Sequence, residues 1–434
     1  MKRLSAAFIA LTFSASLLAE GYQVNLQSTK QTAMGHVGAA LKLGAESIHF
    51  NPAGMAFMEN SIDLSAGASF TYPIATFTSN GVKSETNNPV STPFFAYAGF
   101  KIYDNLAAGI GINTPYGSTL KWGKNWVGAD VIQDIALQSF NIQPTLAYKV
   151  CDKLSIGAGM MIAFGNVELS RAMLPAGTLT SMGMGPEYAD VIPVSATLTG
   201  NSKISLGYNL GVLYDLTERI SLGASFRSCV RMKVEEGTAR LDYASDAIKS
   251  IIQALPTFPQ LDQGTFAAEM PMPANLNIGV SYRATDRLLL SAEAQAVFWK
   301  AYDKLDINFS QNVLNGYSLS ARKDYKNVAA YRIGGEYNLT ERFDLRAGLY
   351  YDQSPIRKEL YNPETPGMDK IGISTGFSFR PVQNLSVDFA LLYIQGISRE
   401  GEYTYTNGLG QPAQLNGRYT NIAFSPSLGL SYKY

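Results

Sequence analysis

Residues 204–231 read ISLGYNLGVLYDLTERISLGASFRSCVR, and this stretch decides the fold. Ile204, Leu206, Tyr208, Leu210 and Val212 alternate with Ser205, Gly207, Asn209 and Gly211. A polar turn from Tyr214 to Arg219 follows. Beyond it Ile220, Leu222, Ala224, Phe226 and Val230 alternate with Ser221, Gly223, Ser225, Arg227 and Arg231. Side chains two apart share one face of a strand, so each arm has an apolar face and a small or charged one. The same pattern recurs in 343–352, where Phe343, Leu345, Ala347, Leu349 and Tyr351 alternate with Asp344, Arg346, Gly348, Tyr350 and Asp352. In 385–393, Leu385, Val387, Phe389, Leu391 and Tyr393 oppose Ser386 and Asp388.

Six short turns punctuate the chain. They are Tyr103-Asp104-Asn105, Tyr148 to Lys153, Tyr214 to Arg219, Tyr282 to Arg287, Tyr337 to Arg342 and Phe379 to Asn384. Short turns at one rim, longer loops at the other and aromatics at strand ends describe a transmembrane β-barrel. In lipid every backbone polar group needs a partner, so such strands close on themselves. Six hairpins supply twelve strands, and 61–72 and 419–434 add one at each end, predicting an all-β, fourteen-stranded antiparallel barrel spanning 61–434. The expected spans are 61–72, 93–103, 106–118, 135–149, 153–169, 202–215, 219–234, 270–283, 287–307, 319–338, 342–353, 370–380, 384–397 and 419–434. An even count puts both termini in the periplasm. Tyr103 falls off the face held by Phe100 and Ile102, so a register slip is expected there.

Met1-Lys2-Arg3 followed by apolar Leu4 to Leu18 predicts a signal peptide over 1–19, with Leu17-Leu18-Ala19 as the cleavage site. The terminal alternation Leu428, Leu430, Tyr432, Tyr434 is the kind of strand that barrel-assembly machinery reads. Residues 20–60 form no strand pattern and are rich in Gly and Ala. A barrel this wide is not filled by its own wall side chains, so 20–60 are expected to fold inward as a plug. Charged residues make up 16% of the chain, against about 25% in soluble proteins. Zero formal charge gives no sign of nucleic-acid binding. Cys151 and Cys229 fall in different hairpins and are expected as free thiols. Only His36 and His49 exist, and no nucleophile elbow, phosphate loop, dinucleotide fingerprint or metal-spaced cluster accompanies them. An enzyme, a cofactor and a metal site are therefore not expected. The expected surroundings are outer-membrane lipid and lipopolysaccharide, around a monomer.

Several segments carry a resemblance to the FadL family of outer-membrane transporters for long-chain fatty acids and other hydrophobic compounds. Gly21 to Asn25 and Ala33 to Ala40 resemble that family's hatch, and Phe50-Asn51-Pro52-Ala53-Gly54 resembles its N-P-A signature. Ile112-Asn113-Thr114-Pro115-Tyr116-Gly117 is similar to the segment where its third strand kinks inward. Tyr325-Lys326-Asn327, Tyr331 to Gly334, Leu345 to Gly348 and Asp352 to Pro355 also match. The resemblance implies passive transport of a hydrophobic small molecule, with fatty acids first and aromatic hydrocarbons as the alternative. A loop-mediated adhesin stays open beside it.

The candidate site has three parts. Loop 119–135, with Leu120, Trp122 and Trp126, and helix-spaced Ile248, Ile251, Ile252 and Leu255 are expected to form a ligand groove between them. Arg171 and Lys326 resemble the family's head-group positions, since an acid in an apolar pocket needs a cation. Arg227, Arg231 and Arg346 are expected to face the lumen. Asn113, Thr114, Pro115, Tyr116 and Gly117 mark the wall kink, and Asn51, Pro52, Ala53 and Gly54 are expected beside it as the gate. Pro115 cannot donate to the ladder, which is the local reason for the break. The bland readings are a turn at Asn51 to Gly54, loop packing for the apolar residues and wall ion pairs for the arginines.

Overall fold

The computed structural model describes residues 21–255, 258, 262–313, 316–407 and 411–434. The expected signal peptide, 1–19, lies outside these residues. One continuous antiparallel sheet runs round the molecule. Its first wall strand (Ile62–Ser69, then Tyr72–Ser79) is followed by a second (Val82–Glu85, Phe94–Tyr103) and a third (Leu106–Asn113, Gly117–Lys121). The fourth is Asp134–Cys151, the fifth Leu154–Ala172, and the sixth Val194–Asn201 with Ser205–Asp215. The seventh joins Ile220–Arg227 to Val230–Tyr243, and the eighth Gln263–Met272 to Asn275–Arg283. The ninth is Leu288–Val297 with Lys304–Val313, the tenth Gly316–Arg322 with Val328–Thr340, and the eleventh Phe343–Asp352. Lys370–Val382, Leu385–Gly396 with Arg399–Thr406, and Pro412–Lys433 complete fourteen among the described residues. The first and last strands pair from Asp63↔Lys433 to Ser69↔Ser427, and this closes the barrel.

The alternation sorts two environments. Leu206 is 65% exposed on the outer wall, while Asn209 beside it is 2% exposed. Asp344, Arg346 and Asp388 are buried inward, as their phase predicts. The phase exchanges in the seventh strand, as it also does within the sixth, where Leu198 is buried and Leu206 exposed, and within the eighth, where Phe266 is buried and Ile278 exposed. Between Ile220–Arg227 and Val230–Tyr243 the ladder skips Ser228 and Cys229, and the faces exchange. Val230 and Met232 turn inward, and Arg231 lies outside, 2.7 Å from Glu269, instead of in the lumen. The slip expected at Tyr103 is present as a register shift after Lys101. Cys151 and Cys229 are free.

On the loop side the strands run further than expected. Tyr72–Ser79, Val82–Glu85 and Arg399–Thr406 occupy stretches expected as loops. Both faces are wet there, so nothing enforces the alternation that marks a strand in lipid. The first hairpin did carry a signal, Asn80-Gly81. Both residues have positive φ, 49° and 80°, as a two-residue type I′ turn requires.

Residues 21–60 fill the lumen with short helices: Thr29–Ala33, Gly44–Glu46, Ser47–Phe50 and Pro52–Phe57. Ser28 caps the first through the Gln31 amide at 3.2 Å. Close approach explains the small residues. A Cβ on wall residue Gly348 would sit 2.0 Å from the Gly35 nitrogen, and one on Gly157 would sit 2.4 Å from the Pro52 carbonyl carbon. Wall carboxylates then hold plug backbone. Glu293 accepts from the Gly38 and Ala39 amides at 2.8 and 2.7 Å and is 3.0 Å from Arg332. Glu46 of the plug accepts from Ser28 and Ser65 at 2.8 and 2.6 Å. Breaking a buried ion pair typically costs about 3–5 kcal/mol. Glu293→Gln should therefore speed hydrogen exchange at the Gly38 and Ala39 amides while wall strands stay protected. Unchanged exchange there would mean that other contacts hold the plug.

Candidate functional site

The third wall strand is interrupted where it meets the plug. It pairs with the second strand only as far as Phe95↔Asn113. On the other side it pairs with the fourth at Asn113↔Asn141 and resumes at Gly117↔Gln138. Three residues of the third strand, 114–116, thus oppose two of the fourth, 139–140, which is a one-residue bulge. Among the described residues, Gly117–Lys121 has a ladder on the fourth-strand side alone.

The backbone groups released by this break are taken up by the plug's first residues. The Pro115 carbonyl accepts from the Val24 amide at 2.8 Å, and the Gly117 amide donates to the Tyr22 carbonyl at 2.8 Å. Gln27 Nε2 donates to the Thr114 carbonyl at 2.8 Å. Ser139 covers both sides of Tyr116, its hydroxyl accepting from the Tyr116 amide at 3.0 Å and its amide donating to the Tyr116 carbonyl at 3.0 Å. Asn113 Nδ2 lies 2.9 Å from His49 Nδ1.

The gate residues expected beside this break lie elsewhere. Asn51 Nδ2 donates to the Val212 carbonyl at 3.0 Å, and Ser155 donates to the Ala53 carbonyl at 2.9 Å. Asn51, Pro52 and Ala53 therefore rest on the fifth and sixth strands, Gly54 packs within the plug against Ser47 and Leu41, and helix Pro52–Phe57 as a whole also touches the fourth strand. Asn51 is the N-cap of Pro52–Phe57, with Pro at the first helical position, so the turn reading describes its local role well. Tyr22 to Val24, Gln27 and His49 are the plug residues at the kink.

Two cavities flank an aromatic set. The outer one, about 80 Å³, is lined by Leu137, Val167, Leu169, Phe266 and Met270, with Tyr22 and Tyr302. The inner one, about 40 Å³, is lined by His49, Arg227, Glu293, Arg332, Pro115 and Tyr116 among others. Tyr22, which faces the first, packs edge-on to Trp299 at 4.8 Å and to Tyr116, which faces the second, at 6.2 Å. The Tyr22 and Tyr116 hydroxyls donate to the Pro271 and Pro273 carbonyls of the eighth strand. Below the plug a third cavity of about 500 Å³, lined by Lys42, Asp215, Arg219, Arg283 and Arg380 among others, lies at the short-turn rim.

The loops expected to form one groove enter two different clusters. Trp122 and Trp126 stack at 4.5 Å and donate to the Pro363 and Ile132 carbonyls at 3.0 and 2.8 Å. With Leu120 they belong to the aromatic core that holds Tyr22, Trp299 and Tyr419. Helix Asp246–Gln253, capped by Ser245, buries Ile248 and Ile252 against Met173, Leu174, Leu179 and Val194. Ile251 and Leu255 are half-buried. The loop after the fifth strand, rather than 119–135, is the helix's partner.

Arg171 is half-buried within electrostatic reach of Glu364, Tyr403 and Asp130. Lys326 is exposed, with its amide on the Pro355 carbonyl at 3.0 Å, so it does not line the outer cavity. The buried cation of that turn is Lys323, 2.8 Å from Glu364. Burial opposes its charge, but Glu364 and the phenol oxygens of Tyr325 and Tyr403 hold its pKa above the ordinary lysine value. Spacing alone could not separate two lysines three apart in one turn. Trp299 and Tyr302 carried no sequence signal and Tyr22 was legible only as part of the hatch segment, because aromatics outside the periodic strands carry no address.

The family model described as outer membrane protein transport protein (OMPP1/FadL/TodX) matches residues 10–434. The long-chain fatty acid transport protein of Salmonella typhi is 22% identical over 424 residues, covering 93% of this chain and 94% of its own. The crystal structure of a Pseudomonas aeruginosa FadL homologue superposes with a TM-score of 0.80 at 22% identity, over 95% of this chain and 99% of the other. That of the P. putida toluene transporter TodX gives 0.70 at 18%, over 96% and 99%. A closed barrel with an occupied lumen and a family match over almost its whole length lead to one conclusion: the chain belongs to the OMPP1/FadL/TodX family and transports hydrophobic compounds across the outer membrane.

Proposed function

We propose that the cargo is a long-chain fatty acid, captured by the outer loops, held in the apolar cavity and released sideways through the third-strand break. The observation that carries the reading is a greasy cavity next to the Glu364 turn, where Lys323 and Arg171 gather. Leu137, Val167, Leu169 and Phe266 suit an acyl chain, and Glu364 and Thr365 also line the space. Arg171 has no carboxylate within 4.0 Å among the described residues, which leaves it able to meet a ligand acid. The named activity of the Salmonella typhi relative supports the same cargo.

Energetics favour the sideways exit. Moving an acyl chain into water costs about 0.8 kcal/mol per CH₂, and lipid avoids that cost. The charged cavity below the plug is the worst place for such a chain. At the break, Tyr22 to Val24, Gln27 and Ser139 complete much of the hydrogen bonding, while the Thr114 hydroxyl still holds the Phe94 backbone of the second strand at 3.1 Å, so withdrawing the plug's first residues weakens the wall between the second and third strands. A small aromatic hydrocarbon is the competing cargo, favoured by one observation. An 80 Å³ cavity is below the roughly 150 Å³ that admits benzene, so a ring demands less rearrangement than a long chain.

Two outcomes test this. Arg171→Ala should weaken surface binding of a C18 acid about tenfold more than binding of its methyl ester, since charge-assisted hydrogen bonds contribute about 1.5–3 kcal/mol. Equal losses would return Arg171 to wall packing, and an alkylbenzene carried in preference to the acid would favour the hydrocarbon reading. Replacing Pro115 and Gly117 together with Val, to regularise the third strand, should abolish uptake in folded, membrane-inserted protein and spare surface binding. Full uptake through a straight, sealed third strand would rule out this exit.

A further inference from the structure

We propose that Arg227 is a second, inner anion site, which takes the carboxylate of the cargo once it has passed the Tyr22–Trp299–Tyr116 barrier. The inference rests on the fatty-acid reading and narrows the cargo to amphiphiles with one acidic head. Arg227 ends the Ile220–Arg227 segment just before the phase break, and it is 7% exposed in the lumen. Its Nη1 lies 3.1 Å from Gln143 Oε1 and 2.8 Å from Met161 Sδ. Its Nη2 lies 3.2 Å from His49 Nδ1 and donates to the His49 carbonyl at 2.8 Å.

None of these partners is an anion. Three other lumen cations differ. Arg332 meets Glu293 at 3.0 Å, Arg346 meets Glu336 at 2.7 Å, and Lys30 lies 3.8 Å from Asp388. Arg227 forms no ion pair among the described residues. His49 does not alter the charge count. Its Nδ1 receives both Asn113 Nδ2 at 2.9 Å and Arg227 Nη2, two groups that only donate, so this nitrogen carries no proton. The charged side chains lining the inner cavity are Arg227, Arg332 and Glu293, which leaves one positive charge over when both imidazoles are neutral.

An uncompensated ion held away from water is costly, and neutral acceptors recover only part of the cost. A ligand carboxylate on Arg227 recovers the rest. Placement suits that role. The same cavity touches Pro115 and Tyr116 of the break and Gln23 and Val24 of the plug. A head group seated there leaves its tail beside the gap in the wall. Because His49 bridges Arg227 and Asn113, drawing Arg227 onto a carboxylate also loosens the plug's hold on the end of the regular third strand. A neutral hydrocarbon draws nothing from this arrangement.

The test compares uptake of a C18 acid, its methyl ester and an alkylbenzene by a deletion strain carrying wild type, Arg227→Gln or Arg227→Lys. Binding of the acid to each purified, folded protein is measured in parallel. Arg227→Gln should cut acid uptake at least tenfold, spare ester uptake and leave surface affinity unchanged, and Arg227→Lys should restore most of the loss. Acid uptake indifferent to Arg227→Gln, or equal losses for acid and ester, overturns the inner site alone. Wild-type protein that carries the ester and alkylbenzene but no acid overturns the fatty-acid reading itself. Should Arg227→Gln not assemble, a wild-type crystal soaked with a brominated C16 acid decides. A carboxylate within hydrogen-bond distance of Arg227 supports the site, and head groups found at Arg171 alone overturn it.

Discussion

In hydrocarbon no water stands by to satisfy a backbone amide or carbonyl, so every one in the wall must be paired by the protein itself. Closure follows directly, through the ladder from Asp63↔Lys433 to Ser69↔Ser427. So does the character of the third-strand interruption. A strand can leave its neighbour at Asn113 only if something else completes Thr114, Pro115, Tyr116 and Gly117. Val24, Tyr22, Gln27 and Ser139 do so. Kink and plug are thus one structural unit, since the wall at this point is finished by plug residues 22–27.

The plug is held by the same constraint acting inside the lumen. The turns between its short helices leave amides that would be orphaned, and Glu293 collects those of Gly38 and Ala39 while Arg332 balances its charge. Glycines at Gly157 and Gly348 let the two backbones approach closely enough for such contacts. The plug is therefore anchored mainly by polar groups at defined points. The residues that finish the third strand, Tyr22 to Gln27, precede those anchors in the chain.

Polarity rises in steps along the lumen. The outer cavity is nearly all hydrocarbon and aromatic carbon, the inner one is lined by amides, imidazoles and arginines, and the cavity at the short-turn rim is charged. An acyl chain meets less favourable surroundings the deeper it goes, whereas an acidic head meets better ones. The break in the wall stands where the two preferences cross. This gradient explains why an aromatic barrier of Tyr22, Tyr116 and Trp299 can separate the cavities with two hydroxyls fixed on Pro271 and Pro273.

The strand count, the closed barrel, the lipid and lumen faces and the free thiols were legible in the residues alone. A strand between two solvents must alternate, and six aromatic-flanked turns set the rhythm. Leu345, Arg346 and Asp388 faced as their parity said. The same logic failed where its cause was missing. Outside the lipid both faces are wet, so Tyr72–Ser79 and Arg399–Thr406 looked like loops. One skipped pair at Ser228 and Cys229 sent Arg231 outside and left Arg227 as the last inward cation of its strand. Tertiary structure alone decided that Asn51 to Ala53 rest on the fifth and sixth strands, that Lys323 and not Lys326 is buried, and that the two apolar loops enter separate clusters. Periodicity reports the solvent on each side of a strand and is local. Which plug residue meets which wall strand, and which loop folds over which, depends on contacts between residues hundreds of positions apart, and no local pattern records them.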